Sequence, residues 1–600
     1  MSRTKVLPLN WFPKKFDAGA IDGEGAKKLL GTPAVEPAAV LVREMAQNSW
    51  DARGTATEIS FILNLRRLDA DIVDVLRHHV FTADATGTGI RELLDKDEVW
   101  ALEVIDRGTV GLGGPVRNDL AVPDGVSTNF IDLVFNIGST KSDPHSGGNY
   151  GFGKTISYSI SEVGAVLIWS RCRTDEGVQD RLIGSAIGEA FDRDGKRHTG
   201  RHWWGRVPTR DRVEPVVDDD AAELGGLVFS RGFQANETGT SQLILQPRLG
   251  GATAKQNTEL LLRAVLWNLW PKLLQDQQER PRMRIQLQVD GVDQPIPAIE
   301  EHPVLSGHAD CLRAVRAMQG DMAHPSTSWN VDVQEVWLGK PKKLLGHLAL
   351  TKYPADHRAL AAAELEPSRG VTLMRHEAEL VVKTQLGPPH STPGFQWAGV
   401  FKPINDVDAS FAAAEPPAHD DWSTAHIRDA VAKRDVNVAF KRMREAVDEY
   451  LAPPRTESDD APTSAATVGD MLAGMLGGID GSGPSTRDSG SRPGGKRAPR
   501  PKVLLAPVKD EPSEPGWARS TVAFEVQDAP ATGARVQVDL RVGVDGGSED
   551  GGDVIRIVGW RGHGPHADFQ LLPGMKVEYV YEYRDDLAID IDARVVAEDA

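Results

Sequence analysis

Three polar side chains in residues 44–51 have a spacing that places them on one face of a helix. The segment reads EMAQNSWD and carries Glu44, Asn48 and Asp51 at positions i, i+4 and i+7. An α-helix completes a turn in about 3.6 residues, so side chains at these intervals point in nearly the same direction. Such a face can bind a divalent cation and polarise a water. We therefore predict a metal and water site here, with Glu44 as the base.

A second candidate site follows the apolar run 99–105, where Asp106 precedes Gly108 and Gly111. A carboxylate at the end of a strand can accept a hydrogen bond from an N–H donor of a ligand. The two glycines let the backbone come close to such a ligand. Taken alone, the string DRGTVG is more typical of a tight turn.

A third segment, GNYGFGK, is rich in glycine and is followed by a helical pattern. Its glycines leave backbone N–H groups uncovered, and a helix N-terminus attracts anions, so an anionic group is the expected ligand. The residues concerned are Gly148, Gly151, Gly153 and Lys154. The glycine spacing does not match a P-loop. Lys154 would add a positive charge near the phosphates, and the alternative is a surface lysine.

A fourth piece is Thr240, which follows Gly239 at the head of the strand-like segment SQLILQP. In this order, the four segments resemble the nucleotide-binding boxes of the GHKL ATPases. That superfamily includes the gyrase B subunit, the mismatch-repair protein MutL, sensor histidine kinases, microrchidia-type ATPases and the ninety-kilodalton heat-shock chaperones. The resemblance covers roughly residues 1–250 and implies ATP and Mg²⁺ as cofactors.

The resemblance implies a role for each polar residue of these boxes. Glu44 would activate the water that attacks the γ-phosphate, and the amide of Asn48 would coordinate Mg²⁺. Asp51 would support this cluster or approach the adenine side. Asp106 would read the adenine amine, and Thr240 would line the pocket beside it, although a strand-capping threonine is the competing interpretation.

Two lysines are weaker candidates for phosphate contacts. Lys141 lies in the polar segment 139–147, which the resemblance makes the ATP lid, but a lysine in a polar loop needs no such role. Several related enzymes bring a lysine from the next domain, the transducer, to the γ-phosphate. Lys352 is the candidate here, with Lys343 and Lys383 as rivals.

Composition limits the class of protein. The chain has 600 residues, of which 40% are hydrophobic, so three or four domains are expected. Two cysteines, without a CxxC pair, argue against a disulfide scaffold or a structural zinc site. The chain carries no apolar run long enough to cross a bilayer, so we expect a cytoplasmic protein without membrane contact. The net charge of −18 argues against extensive coating of nucleic acid, although local basic patches leave DNA binding possible.

The pattern of elements predicts an α/β fold class with four regions. Residues 1–250 alternate helical and strand patterns, which indicates an α/β sandwich, of the Bergerat ATP-binding type if the resemblance holds. Residues 251–452 resemble an α/β transducer domain, with a hairpin at 369–383. Residues 453–502 read as a flexible Gly/Ser/Pro-rich linker. Residues 503–600 read as an acidic β-sandwich with 9 basic and 19 acidic residues, a balance of −10, which favours a protein partner.

The leading functional hypothesis is an ATPase whose N-terminal domains pair when ATP binds and separate after hydrolysis. We expect an ATP-dependent homodimer, closed by the lid and by an N-terminal arm in which Trp11 and Phe12 dock on the partner. Its output could serve a DNA-related or anti-phage defence assembly. One alternative is a regulatory protein that holds ATP with little turnover. A sensor-kinase-like phosphotransferase is disfavoured, because too few residues precede Glu44 for a phosphoacceptor hairpin.

Overall fold

The computed structural model describes residues 7–17, 36–136, 156–274, 281–320, 331–452 and most of 502–596, except residues 84, 393, 417–420 and 426 and short gaps beyond 505. The chain forms two compact units, residues 1–480 and 481–600. All but the last residue of the expected linker, 453–502, lies outside the described residues. The larger unit combines helices with two sheets, which confirms the α/β class.

The first sheet of the larger unit has 12 strands: β1 (Asn10–Lys15), β2 (Glu58–Arg67), β3 (Trp100–Arg107), β4 (Ala165–Thr174), β5 (Gly177–Ile187), β6 (Phe191–Arg193), β7 (Lys196–Thr209), β8 (Arg212–Glu214), β9 (Val216–Val217), β10 (Gly239–Leu245), β11 (Arg282–Val289) and β12 (Val292–Gln294). Its main path runs β1-β7-β5-β4-β10-β3-β2-β11-β12. Strands β6 and β8 pair with β7, and β9 pairs with β5.

The helices that accompany this sheet are α1 (Pro37–Asp51), α2 (Ala70–Val75), α3 (Ile90–Leu94), α4 (Asn129–Val134), α5 (Ile156–Ile160), α6 (Asp218–Val228) and α7 (Ala254–Leu273). A π-helical turn, Leu76–Val80, extends α2. A capping box begins α7, because the Thr253 hydroxyl accepts from the Gln256 N–H while the Gln256 side chain accepts from the Thr253 N–H.

Helix α1 begins at Pro37 and ends at Asp51, three residues before Gly54. Pro37 occupies the first turn, where its missing N–H costs nothing, and Gly54 follows the helix with a φ of +58°. Most of the helix is buried, including Val40, Leu41 and Trp50. These residues belong to the core that α1 shares with α7 and the sheet. The helix that carries the candidate site is therefore held by packing on two sides.

Apolar side chains on both faces of the first sheet are covered. In β10, Ile244 belongs to the core beneath α1 and α7, while Leu243 and Leu245 belong to a second core with α6. Alternate residues of a strand point to opposite faces, so one strand contributes to both cores. Central strands of this sheet therefore read as continuous apolar runs.

The first sheet extends beyond the boundary expected at residue 250. Strand β11 pairs with β2 in parallel, with Arg282 opposite Glu58 and Val289 opposite Leu65. Helix α7 connects β10 to this added strand and packs along α1. The sheet layer thus ends near Gln294, because a parallel crossover returns the chain to the outer side of β2.

A second sheet follows in the same unit. Its strands are β13 (Val331–Leu338), β14 (Lys343–Pro354), β15 (Arg369–Met374), β16 (Val381–Leu386) and β17 (Phe395–Pro403), in the order β13-β14-β17-β15-β16. The predicted hairpin is confirmed as β15 and β16. A 3₁₀ turn, Ile299–Glu301, leads into helix α8 (Leu305–Met318), and the later helices are α9 (His357–Ala362), α10 (Asn405–Ala412) and α11 (Ala430–Leu451).

The second unit consists of strands in its described residues: β18 (Lys502–Leu505), β19 (Lys509–Glu511), β20 (Trp517–Gln527), β21 (Ala534–Val544), β22 (Gly547–Asp550), β23 (Ile555–Trp560), β24 (Asp568–Leu571), β25 (Lys576–Arg584) and β26 (Ala588–Val596). One sheet runs β18-β20-β25-β23 with β19 beside β20, and the other runs β22-β21-β24 with β26 beside β21. Phe524 and Tyr579 from the first share a core with Val536 from the second.

The N-terminal strand docks on its own chain. Strand β1 pairs antiparallel with β7, with Trp11 opposite Trp204 and Phe12 opposite Trp203. Trp11 and Phe12 thus lie against strand β7 of the same chain, and the expected docking of this arm on a second copy stays a prediction. Among the described helices, none is long and apolar enough to cross a membrane.

Rings from β1, β6 and β7 form a buried stack around His202. The imidazole lies nearly parallel to Trp11, Phe191 and Trp204, with interplanar angles of 12°, 6° and 23°. Trp11 Nε1–H donates to His202 Nδ1 at 3.1 Å. Burial, together with the nearby His198, lowers the pKa of His202 to about 3. The neutral imidazole is therefore part of the folded state.

The protonation of His202 predicts a pH dependence of stability. The unfolded imidazole takes up a proton near its usual pKa of about 6.5, whereas the folded one stays neutral until about pH 3. The stability that depends on a neutral His202 is thus fully present above pH 6.5 and is lost as the pH falls. Between pH 8 and pH 5, the loss should be about 2 kcal/mol of unfolding free energy.

Urea denaturation of wild type and His202→Gln at the two pH values measures this loss. The variant should be less stable at pH 8 but should lose about 2 kcal/mol less than wild type on acidification. His78→Gln, at an exposed histidine, is the matched control and should keep the wild-type pH dependence. Identical losses in wild type and His202→Gln would contradict the assignment.

Candidate functional site

A cleft of about 290 Å³ lies between the C-terminal half of α1, the end of β3 with its following turn, α4 and β10. Its volume is near the lower end of the range, about 300–1,000 Å³, that holds small ligands. Sixteen residues line it: Met45, Asn48, Ser49, Asp51, Ala52, Gly54, Val104, Asp106, Val110, Gly111, Leu112, Asn129, Asp132, Leu133, Thr240 and Gln242. Three of the four predicted boxes thus meet at one place.

Helix α1 forms one wall of the cleft. Asn48 and Asp51 are exposed and line it, as the helical spacing predicts. Gln47 Nε2–H donates to Asp51 Oδ1 at 2.9 Å and helps to hold that carboxylate. Glu44 lies one turn earlier on the same stripe but is only 3% exposed and is not among the lining side chains. The structure therefore brings Asn48 and Asp51, but not Glu44, to the cleft formed by the described residues.

Asp106 lies at the end of β3, on the floor of the cleft. Its Oδ1 accepts hydrogen bonds from the Thr109 hydroxyl and from the Thr240 N–H, the latter at 3.0 Å. Loss of hydration raises the pKa of Asp106, while the Thr109 hydroxyl, the Arg107 guanidinium, the Thr240 N–H and the Ser49 hydroxyl each lower it. The carboxylate is thus held in a fixed position by its neighbours while it faces the cleft.

The antiparallel pairing of β3 and β10 sets the position of Thr240. In this register Thr240 lies opposite Asp106, and Ser170 of β4 lies opposite Thr240 on the other side. The two hydroxyls, Ser170 Oγ and Thr240 Oγ1, are 3.2 Å apart. A row of polar groups therefore crosses three strands, from Asp106 and Thr240 in the lining of the cleft to the buried Ser170.

The two glycines after Asp106 are required by the turn itself. Gly111 has a φ of +67°, and a Cβ there would lie 2.3 Å from the carbonyl oxygen of Arg171. Gly108 has a φ of +81°, and its Cβ would lie 2.9 Å from the carbonyl oxygen of Glu58. Left-handed backbone and close approach both exclude side chains. Gly111 lines the cleft, so the tight turn also forms part of its wall.

Two arginines stabilise the walls of the cleft through hydrogen bonds to backbone carbonyls. Arg107 is buried and donates to the carbonyls of Asp106 and Arg231 and to the Ser241 hydroxyl. Arg181 Nη1–H donates to the carbonyls of Leu112 and Gly114 at 2.9 and 2.8 Å. Desolvation lowers the pKa of Arg107 to about 10, which leaves it charged at neutral pH. These bonds satisfy carbonyls of the loops on either side of the cleft.

Several lining residues do not belong to any of the four sequence motifs. Asn129 and Asp132 come from α4, and the Asp132 carboxylate accepts from the Thr128 hydroxyl at 2.8 Å and from Asn136 Nδ2–H at 3.2 Å. Gln242 lies two residues after Thr240, on the same face of β10, and its Oε1 accepts from Ser157 at 3.0 Å. The period-2 pattern of the strand could have found Gln242. Nothing in the sequence marks α4 as a wall of the site.

Five predicted phosphate-binding residues lie outside the described residues: Lys141, Gly148, Gly151, Gly153 and Lys154. The chain leaves the described part after Asn136, beside α4, and re-enters it at Ile156, the first residue of α5. The predictions for these five residues stay predictions.

The structure does not bring Lys352 to the cleft. Lys352 is half-buried in β14, and its Nζ lies 5.5 Å from the ring centre of Tyr450. It pairs with Trp397, which in turn pairs with Arg369 at the start of β15. The rivals Lys343 and Lys383 form ion pairs with Asp435 and Asp421.

The part of the second sheet that meets α1 is the turn between β15 and β16. Arg53, just beyond α1, forms an ion pair with Glu377 of this turn at 3.4 Å. Between them lies a second cleft of about 490 Å³, which shares Asp51 with the first. Inside the turn, the buried Glu379 carboxylate accepts from Arg316 at 2.6 Å and from Lys402 at 2.7 Å.

The oxygen donors of the cleft suit a cation that is shared with a phosphate ligand. Among the described residues, no cluster of three or more His, Cys, Asp or Glu side chains is arranged to hold a metal by itself. Mg²⁺ usually takes one or two protein oxygens and completes its shell with waters and substrate phosphates. The exposed side chains of Asn48 and Asp51 fit that donor set.

A comparison with protein-family models and with curated proteins finds no match to this sequence.

The turn at Gly111 generates a prediction about stability. Gly111→Ala should lower the unfolding free energy by about 3 kcal/mol or more, because it combines a left-handed backbone with a steric overlap. Gly125→Ala is the matched control, since Gly125 has a φ of +82° but nothing within 4 Å of a Cβ. It should lose only about 1–2 kcal/mol. Urea denaturation compares the two, and equal losses would show that the Arg171 carbonyl does not limit the turn.

Proposed function

We propose that this protein is an ATP-binding and ATP-hydrolysing enzyme of the GHKL class, with a Bergerat-type nucleotide site in its first sheet. The observation that carries the proposal is the position of Asp106. A carboxylate held on the floor of a ligand-sized cleft, with Thr240 beside it and two oxygen donors on the helix wall, supports recognition of an adenine at one end and of a Mg²⁺-bound phosphate at the other.

Asp106 is the residue that would select the base. Its carboxylate accepts hydrogen bonds and cannot donate them when ionised, so it matches the exocyclic amine of adenine and repels the carbonyl oxygen of guanine. The two bonds at Oδ1 fix the plane of the carboxylate before a ligand arrives. Gly111 supports this role, because it lines the cleft without a side chain and so lets a ligand approach the backbone.

Asn48 and Asp51 would hold a Mg²⁺ ion together with the phosphates, and the ion would neutralise their charge. Glu44 would accept the proton of the attacking water. Its position one turn before Asn48, on the same stripe of α1, supports this role. ATP-dependent pairing of two copies and a protein partner at the acidic second unit remain parts of this proposal, as does service in a DNA-related or anti-phage defence assembly.

A second candidate function uses the same cleft without turnover. A regulatory protein that holds ATP as a structural ligand would need Asp106, Asn48 and Asp51 but no base. The position of Glu44 outside the lining of the described cleft favours keeping this alternative. Wild-type protein that binds ATP tightly yet shows no phosphate release above background would support it.

Base selection can be tested with Asp106→Asn. The amide can place its NH₂ against the adenine amine, so ATP affinity should fall about tenfold or more. Isothermal titration with ATP and GTP in the presence of Mg²⁺ measures the effect, and the preference of wild type for ATP should shrink in the variant. Asp124→Asn, at an exposed loop position, is the control and should bind as wild type does. Unchanged ATP affinity in Asp106→Asn would refute the adenine site.

The role of Glu44 predicts a separation of binding from chemistry. Glu44→Gln should bind ATP within about twofold of wild type and hydrolyse it about 100-fold more slowly, the usual effect of removing a general base. Phosphate release under single-turnover conditions gives the rate. Glu92→Gln, an exposed acid in α3, should leave the rate unchanged. A Glu44→Gln rate within a factor of two of wild type would rule out Glu44 as the base.

A further inference from the structure

A groove outside the nucleotide cleft runs between the edge strand β16 and helix α11. Its volume is about 490 Å³, which is enough for a nucleotide-sized group. Eight residues line it: Leu373, Lys383, Gln385, Asp421, Asn437, Phe440, Lys441 and Arg444. The groove lies on the second sheet and shares no lining residue with the cleft around Asp106.

The charge of this groove is opposite to that of the chain. Lys383, Lys441 and Arg444 give it three positive side chains against one negative side chain, Asp421, whereas the whole chain has a net charge of −18. Lys441 and Arg444 are three residues apart on α11, so they lie side by side on one face of the helix. Lys383 faces them from the strand. A chain with this overall charge has a local surface that attracts anions.

These cations are available to a ligand. Lys383 pairs with Asp421 at 3.0 Å, but both side chains are nearly half exposed, and exposed pairs contribute only about 0–1 kcal/mol. Lys441 has a looser pair with Glu445 at 3.8 Å, with the lysine 72% exposed. An incoming phosphate can therefore replace these partners at small cost.

The remaining lining residues suit a base. Phe440 is half-buried against the core of the second sheet, which holds its ring in place. Asn437 and Gln385 add amide groups to the lining, and Leu373 adds an apolar surface. Aromatic faces flanked by cations are how proteins hold single-stranded nucleic acid, since bases stack and phosphates pair with Lys and Arg. The Asp and Glu side chains of an acidic peptide have no aromatic face to stack on this ring.

We propose that this groove binds single-stranded nucleic acid, with phosphates on Lys383, Lys441 and Arg444 and a base against Phe440. The assignment goes beyond nucleotide hydrolysis and does not depend on it. It also gives a strongly acidic protein one surface that can contact a polyanion, because the local charge there is positive.

The test is fluorescence anisotropy of a labelled oligothymidylate of about 16 nucleotides with the full-length protein, without ATP. Arg444→Glu should weaken binding about tenfold or more. Arg442→Glu is the matched control, because Arg442 is an exposed arginine on the same helix that does not line the groove, and its affinity should stay within about twofold of wild type. Phe440→Leu, which keeps an apolar side chain, should weaken binding about fivefold or more.

Further readouts separate this proposal from general charge attraction. Binding should weaken as salt rises, with a slope that becomes shallower by about 0.7 in the neutral variant Lys441→Gln. No binding at low salt, equal losses in Arg444→Glu and Arg442→Glu, or equal affinity for duplex DNA or polyglutamate would each overturn the proposal. Because ATP is absent, these outcomes leave the ATPase assignment untouched.

Discussion

Asp106 and Thr240 face each other across an antiparallel pair of strands, and this register underlies the whole cleft. The pairing of β3 with β10 brings the Thr240 N–H to the Asp106 carboxylate and places Gln242 on the same face two residues later. A slip of one residue would turn each of these side chains to the opposite face of the sheet. Apolar residues of β10 are buried on both faces, so such a slip would also place Gln242 in a core. The packing that stabilises the sheet therefore also fixes the site.

Helix α1 is joined to the second sheet by a continuous series of charged contacts. The Trp50 ring has Lys272 Nζ 3.2 Å from its centre and the Arg53 guanidinium 4.6 Å from it. One residue before Lys272, the carbonyl of Pro271 accepts from Arg316, which pairs with Glu379. Glu379 adopts a φ of +45°, a conformation that costs a non-glycine residue energy and is offset here by two buried cations. The turn that meets α1 is thus held by Arg316 of α8 and Lys402 of β17.

Local features of the site could be predicted from the sequence, and long-range ones could not. Pro37, Gly54 and the i, i+4, i+7 spacing define α1 and its exposed Asn48 and Asp51, because helix geometry is a local property. The strand and turn around Asp106 follow from an apolar run that ends in glycines. Strand order is different, since the parallel return of β11 to β2 depends on which edge is open. The position of Lys352 is likewise set by long-range pairing, since its partner Trp397 lies opposite Arg369 at the start of β15 rather than near the turn that meets α1.

Strand β1 has a consequence for how shortened forms of this protein behave. It covers the outer edge of β7, where Trp203 and Trp204 lie opposite its own aromatic residues. A chain that begins after Lys15 would present a long row of unpaired N–H and C=O groups beside large rings, which is a template for joining further strands. Self-association of such a truncated protein would report aggregation through an uncovered sheet edge rather than assembly of the native molecule.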